Sequence, residues 1–100
     1  MIKLDFKKTK SIRDGWGEGL VELGTENEKV VAMAADLTES TRCNWFAEKF
    51  PERYLECGIS EQNMMGAAAG ISLEGDIPFV NSFAVFNPGR NWDQFRVSVC

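Results

Sequence analysis

The sequence predicts an α/β domain: a mostly parallel sheet with helices on both faces, in three layers. Three observations lead there. Short apolar runs alternate with amphipathic segments along the whole chain, which is the signature of strands and helices packed in layers. One run, Val30–Ala35, is apolar at every position, as a strand covered on both faces must be. Glycine, proline and short polar residues punctuate the boundaries, at Pro51, Gly58, Ser60 and Gly75. A length of 100 residues holds one compact domain rather than two.

The elements follow in order. Residues 1–10 carry Lys3, Lys7, Lys8 and Lys10 and read as a basic N-terminal arm. Ser11 and Asp14 suit a helix start, a short cap followed by an acid in the first turn. Ile12, Trp16, Leu20 and Leu23 then share one helical stripe, and Gly24 is the expected stop. Gly15, Gly17 and Gly19 weaken that helix by about 1 kcal/mol each relative to alanine, unless they mark close packing. The first strand, Val30–Ala35, closes at Asp36. A short helix from Asn44 must stop at Phe50, before Pro51. Arg53–Cys57 is the second strand and Gly58 its turn. Ser60 opens a helix that runs through MMGAAAGISL toward Gly75, with Met64 and Met65 as core filler. Ile77–Val80 is the third strand, Asn81–Gly89 a loop, and a last helix starts near Arg90 with Trp92, Phe95 and Val99 on one stripe. That stripe reaches Cys100 without a stop signal, so the domain, spanning 11–100, is expected to be incomplete at its C-terminal end.

Composition excludes several functions. Apolar residues make up 44% and aromatics 11%, enough to bury a core and offset chain entropy. No stretch approaches the roughly 18 apolar residues of a membrane span. A net charge of −4 argues against a nucleic-acid binder, which needs a basic face. There is no histidine, and Cys43, Cys57 and Cys100 form no C-x-x-C pair. A Cys/His zinc site and a histidine-based triad are therefore not expected. The early lysines interrupt any leader-like apolar run, which points to the cytoplasm.

In a parallel sheet, ligands gather at the carboxyl ends of the strands. Three segments sit there: Asp36-Leu-Thr-Glu-Ser, Gly58-Ile-Ser-Glu-Gln-Asn and Asn81-Ser-Phe-Ala-Val-Phe. Their acids, small polar groups and phenyl rings suit a flat ligand with polar edges. Each residue also has a plain structural reading. Glu61 can complement a helix dipole, Phe83 and Phe86 can pack in the core, Asp36 can cap a loop, and Arg90 with Asp93 can form an exposed pair. Phosphate motifs fail: Gly15-x-Gly17 lacks its third glycine and lies within a helix, and no G-x-x-x-x-G-K-[ST] occurs.

The string ECGISEQNMMGAAAGISLEGDIPFVNSFAVF, residues 56–86, resembles the pyrimidine-binding domain of transketolase-like thiamine diphosphate enzymes. AADLTEST, residues 34–41, resembles the transketolase version of it, and RNWDQFR, residues 90–96, fits the helix after its aromatic loop. The resemblance runs from about Ser11 to the end of the chain. It implies that Glu61 faces N1′ of the cofactor's aminopyrimidine and shares a proton with it, the step that favours the imino form able to deprotonate C2 of the thiazolium. It implies that Phe83 stacks on the pyrimidine, that Phe86 helps form the wall, and that Asp36 and Leu37 line the cofactor near a subunit interface. Gln62 receives no chemical role.

The same resemblance implies transfer of a two-carbon ketol unit between sugar phosphates. Thiamine diphosphate is the cofactor, with its diphosphate and Mg²⁺ held by a partner domain or subunit, because the metal-binding Gly-Asp-Gly…Asn pattern is absent here. No metal ligand is assigned to this chain. An initiator methionine shortly before the first helix fits the C-terminal subunit of a split transketolase, in a homo- or hetero-oligomer. The family's sugar-binding histidines would come from elsewhere. The alternatives are a 1-deoxyxylulose-5-phosphate synthase, a 2-oxo acid dehydrogenase β subunit, or a non-catalytic assembly or regulatory subunit.

Overall fold

The computed structural model describes residues 9–100; the N-terminal arm expected at 1–10 lies almost wholly outside them. Three strands form one parallel sheet: β1 (Val30–Ala34), β2 (Tyr54–Glu56) and β3 (Ile77–Asn81), in the order β2-β1-β3. Val30 to Ala34 of β1 pair with Ile77 to Asn81, and Ala32 to Ala34 pair with Tyr54 to Glu56. β1 is thus central, and all five of its residues are buried.

The chain moves one way across the sheet from β1 to β2 and the other way from β2 to β3. Right-handed crossovers then place the connecting helices on opposite faces. Helices α1 (Ile12–Glu26) and α2 (Cys43–Lys49) cover one face, where Leu20, Val30, Ala32, Cys43 and Phe46 form a core. Helix α3 (Glu61–Leu73) covers the other, where Met64 and Ala68 meet Val31, Met33 and Ala35. The predicted three-layer α/β architecture is what forms.

Local differences have physical causes. The buried face of α1 is Gly17, Leu20 and Gly24, whereas Ile12 is 91% exposed. Two glycines let aromatic rings touch the helix backbone. A Cβ at Gly24 would lie 2.5 Å from the Phe46 ring and 2.8 Å from the Phe50 ring, and one at Gly17 would lie 2.6 Å from Trp45. Gly15 and Gly19 have open space instead. Gly24 therefore packs rather than stops the helix. The Arg53 guanidinium ends it, donating to the carbonyls of Gly24 and Asn27 at 2.9 and 3.1 Å while lying 4.0 Å over the Phe50 ring. Neither Ser11 nor Ser60 caps through its side chain; the Ser60 hydroxyl donates to the Cys57 carbonyl at 2.6 Å. The last helix is one α-turn, Trp92–Gln94, that widens to a π-helical turn over Phe95–Val99, and its apolar stripe is open, with Trp92 65% exposed.

Cys43 opens α2 at 0% exposure. Burial pushes its thiol pKa up, a hydrogen bond involving Thr41 pulls it down, and the Glu56 charge pushes it up again, with a net rise. The thiolate is the reactive form. Iodoacetamide at mild alkaline pH is therefore expected to leave Cys43 unmodified in the folded chain and to label it once urea unfolds the protein. Peptide mass mapping checks this; rapid labelling of Cys43 without denaturant would contradict the packing described.

Candidate functional site

Parallel pairing brings the ends of all three strands to one edge of the sheet, and the reversal of strand order, with the chain crossing from β1 to β2 on one side and on to β3 on the other, opens a crevice there. Three segments enter it. The chain leaves β1 through Ala35 and turns at Asp36, whose φ of 61° is the left-handed region. It leaves β2 through Cys57 and turns at Gly58, φ 68°, a conformation glycine adopts without a side-chain penalty. It leaves β3 into residues 82–91, a loop that folds back over the start of α3.

That loop is pinned at both ends. The Asn87 amide donates to the Val80 carbonyl at 3.0 Å, and the fully buried Asn91 donates to Asn87 Oδ1 at 3.1 Å and to the Glu61 carbonyl at 3.4 Å. Gln62 reaches the loop's far side, donating to Asp93 at 3.2 Å. These contacts lay Phe86 and Arg90 against the first turn of α3.

Glu61 is the first residue of α3 and is 3% exposed. Its Oε1 accepts a charge-assisted hydrogen bond from Arg90 Nη1 at 3.0 Å. Its Oε2 has no partner among the described residues. The same guanidinium lies 4.4 Å over the Phe86 ring. Ala35, Asp36, Leu37, Ile59, Glu61, Phe86 and Arg90 together line a cavity of about 240 Å³. Its walls are apolar apart from the acids, the arginine and the backbone. A buried carboxylate with one free oxygen beside a phenyl ring fits a flat heteroaromatic ring bearing a basic nitrogen.

Asp36, Leu37, Glu61 and Phe86, all singled out in the sequence, thus meet on one cavity. Phe83 lies on a neighbouring cavity of about 250 Å³ with Trp16, Asn81 and Ser82. Its ring stacks on Phe86, centroids 6.4 Å apart and planes at 20°. Asn81, the last residue of β3, accepts from Trp16 Nε1 at 2.8 Å and donates to the Met33 and Phe79 carbonyls.

Two residues escaped the sequence reading. Arg90 was a candidate surface partner of Asp93, but it bonds Glu61, and Asp93 accepts from Gln62 instead. Its place in the RNWDQFR segment was the available signal. Glu56 looked like an ordinary strand residue. It accepts from the Asp36 and Gly58 N–H groups and from Thr38 and Tyr54. Burial pushes its carboxyl up, yet the bonds from Thr38, the two backbone groups and Tyr54 outweigh that and hold it below its ordinary 4.5. No periodicity signals such a role; only the register of β1 with β2 creates it.

Among the described residues no group of three His, Cys, Asp or Glu side chains converges on a metal position. None of their helices is long and apolar enough to cross a membrane.

Residues 8–99 match the family model of the transketolase pyrimidine-binding domain. The chain is 47% identical over 87 residues to a Methanocaldococcus jannaschii protein named "Putative transketolase C-terminal section", covering 87% of this chain and 28% of that protein. It is 38% identical over 94 residues to a 1-deoxy-D-xylulose-5-phosphate synthase of Dictyoglomus turgidum, covering 94% of this chain and 15% of that one. Among solved structures, a split-gene transketolase described as an inactive β4 tetramer superposes with a TM-score of 0.78 and 52% identity, over 88% of this chain and 29% of that one. The chain therefore spans less than a third of the length of these relatives.

Proposed function

The chain belongs to the transketolase pyrimidine-binding domain family, and on that premise we propose that it supplies the aminopyrimidine half of a thiamine diphosphate site for ketol transfer between sugar phosphates. The family depends on thiamine diphosphate in general. The observation that carries the proposal is Glu61, buried at 3% exposure with Oε2 unpartnered on an apolar cavity.

When bound, thiamine diphosphate supplies the carbon nucleophile and the electron sink for the two-carbon unit. Glu61 holds a proton between Oε2 and N1′ of the aminopyrimidine. Arg90 fixes the other carboxylate oxygen, so the acid keeps one orientation. Phe86, braced by the Arg90 guanidinium over its ring and by Phe83 stacked on it, forms an apolar wall of the pocket. Ala35 and Leu37 form apolar walls beside the acid, and Asp36 and Leu37 form the side turned toward the partner. The diphosphate and Mg²⁺ belong to a separate diphosphate-binding domain or subunit, in a homo- or hetero-oligomer. The match to a section of a transketolase and to a split-gene transketolase supports that arrangement. Three unpaired thiols support a reducing, cytoplasmic setting.

Reconstitution tests the proposal. The chain is mixed with its diphosphate-binding partner, thiamine diphosphate and Mg²⁺, and ketol transfer is followed. The chain alone is expected to bind the cofactor at least tenfold more weakly than the assembled pair, measured by calorimetric titration. Tight Mg²⁺-dependent binding by the lone chain would refute the divided site. The synthase relatives favour a second reading, and formation of 1-deoxyxylulose 5-phosphate in place of a transferred ketol would establish it.

A further inference from the structure

We infer that Glu56 is a positioning residue for the cofactor cavity, its single carboxylate tying together the two loops that carry the cavity's Asp36–Leu37 and Ile59–Glu61 walls. This inference rests on the reading of that cavity as the aminopyrimidine pocket. Glu56 ends β2 opposite Ala34, which sets its side chain beside the turn leaving β1. Oε1 accepts the Asp36 N–H at 2.5 Å and the Gly58 N–H at 2.9 Å. Oε2 accepts the Thr38 hydroxyl at 2.6 Å and the Tyr54 hydroxyl at 3.1 Å. The Thr38 and Tyr54 hydroxyl oxygens also lie against each other, so one of their two protons is shared between Glu56 and the neighbouring hydroxyl.

The two N–H groups belong to different loops, and both residues have left-handed backbones, at φ 61° and 68°. Asp36 is not a glycine and keeps that conformation only where its surroundings hold it. Without an acceptor at Glu56, the Asp36 turn is free to relax, and Leu37 moves with it. Gly58 likewise loses the bond that aims Ile59 and Glu61. Glu56 does not line the cavity, so it acts through these neighbours and not on the ligand.

The test uses the chain assembled with its diphosphate-binding partner. Glu56→Leu keeps the bulk and removes both acceptors. It is expected to weaken thiamine diphosphate binding, titrated with Mg²⁺, at least tenfold, while kcat at saturating cofactor falls less than threefold. Hydrogen–deuterium exchange of segments 35–38 and 57–60 should quicken together, with cofactor absent. Glu56→Gln should restore affinity to within threefold of wild type, because its oxygen still accepts both N–H groups and its amide can donate to the hydroxyls. If Glu56→Leu does not fold, Glu56→Asp takes its place: one methylene shorter, it should weaken binding at least threefold with an unchanged far-UV spectrum. Unchanged affinity and exchange in the folded variant would overturn the role of Glu56 alone. A wild-type assembly that binds no thiamine diphosphate would overturn the functional reading, and this inference with it.

Discussion

Replacing Glu61 with glutamine is expected to lower ketol transfer by about 10²–10⁴-fold, the range for loss of a positioned proton-transfer group. The two side chains have nearly the same volume, so the buried site at the start of α3 keeps its packing. The glutamine carbonyl can still accept the Arg90 hydrogen bond made here at 3.0 Å. Arg90 is half exposed, so water can solvate its charge once the carboxylate is gone. What the amide cannot do is take a proton and return it. Assembly with the partner, measured by gel filtration, and the thermal unfolding midpoint should stay close to wild type. Activity within threefold of wild type would remove Glu61 from the chemistry.

Gly89→Ala is expected to damage both stability and the site, although Gly89 is exposed. A Cβ there would stand 2.1 Å from the Val85 carbonyl oxygen and 2.6 Å from its carbon. These are backbone atoms, so no rotamer change relieves the overlap. The turn must open, and it is held by the Gly89 N–H on the Ala84 carbonyl and the Arg90 N–H on the Phe86 carbonyl, both at 3.1 Å. Overpacking of this kind costs about 1–3 kcal/mol, which lowers the unfolding midpoint by about 4–8 °C per kcal/mol in a chain of this size. Phe86 and Arg90 both ride on the turn, so Arg90 should lose its place against Glu61 and cofactor affinity of the assembled protein should fall. Calorimetry and cofactor titration read the two effects. A variant as stable and as tight-binding as wild type would show that the turn does not set the Arg90 position.

Much of the fold was legible in the residues. The unbroken apolar run at Val30–Ala34 is the buried central strand. Pro51 does follow the end of α2, and the Ser60–Glu61 boundary opens α3. The face of α1 was less legible. Counting large apolar side chains gave Ile12 a place in the core, whereas the helix packs through Gly17 and Gly24, which have no side chain for such a count to register. Four site residues meet on the cavity because each follows a strand, and strand ends of a parallel sheet converge on one edge. Phe83 and Phe86 carry the same ring in one loop. Only the path of that loop sets one on this cavity and the other on its neighbour.

Sequence alone determined the elements, their order and the edge where chemistry belongs, since helical and strand periodicities are local and parallel strands align their ends. Tertiary structure alone decided the partners. Arg90 reaches Glu61 across 29 positions, and Glu56 reaches Asp36 across 20. Such pairs depend on strand register and loop path. These are set by how the whole core closes, and no local window of residues contains that information.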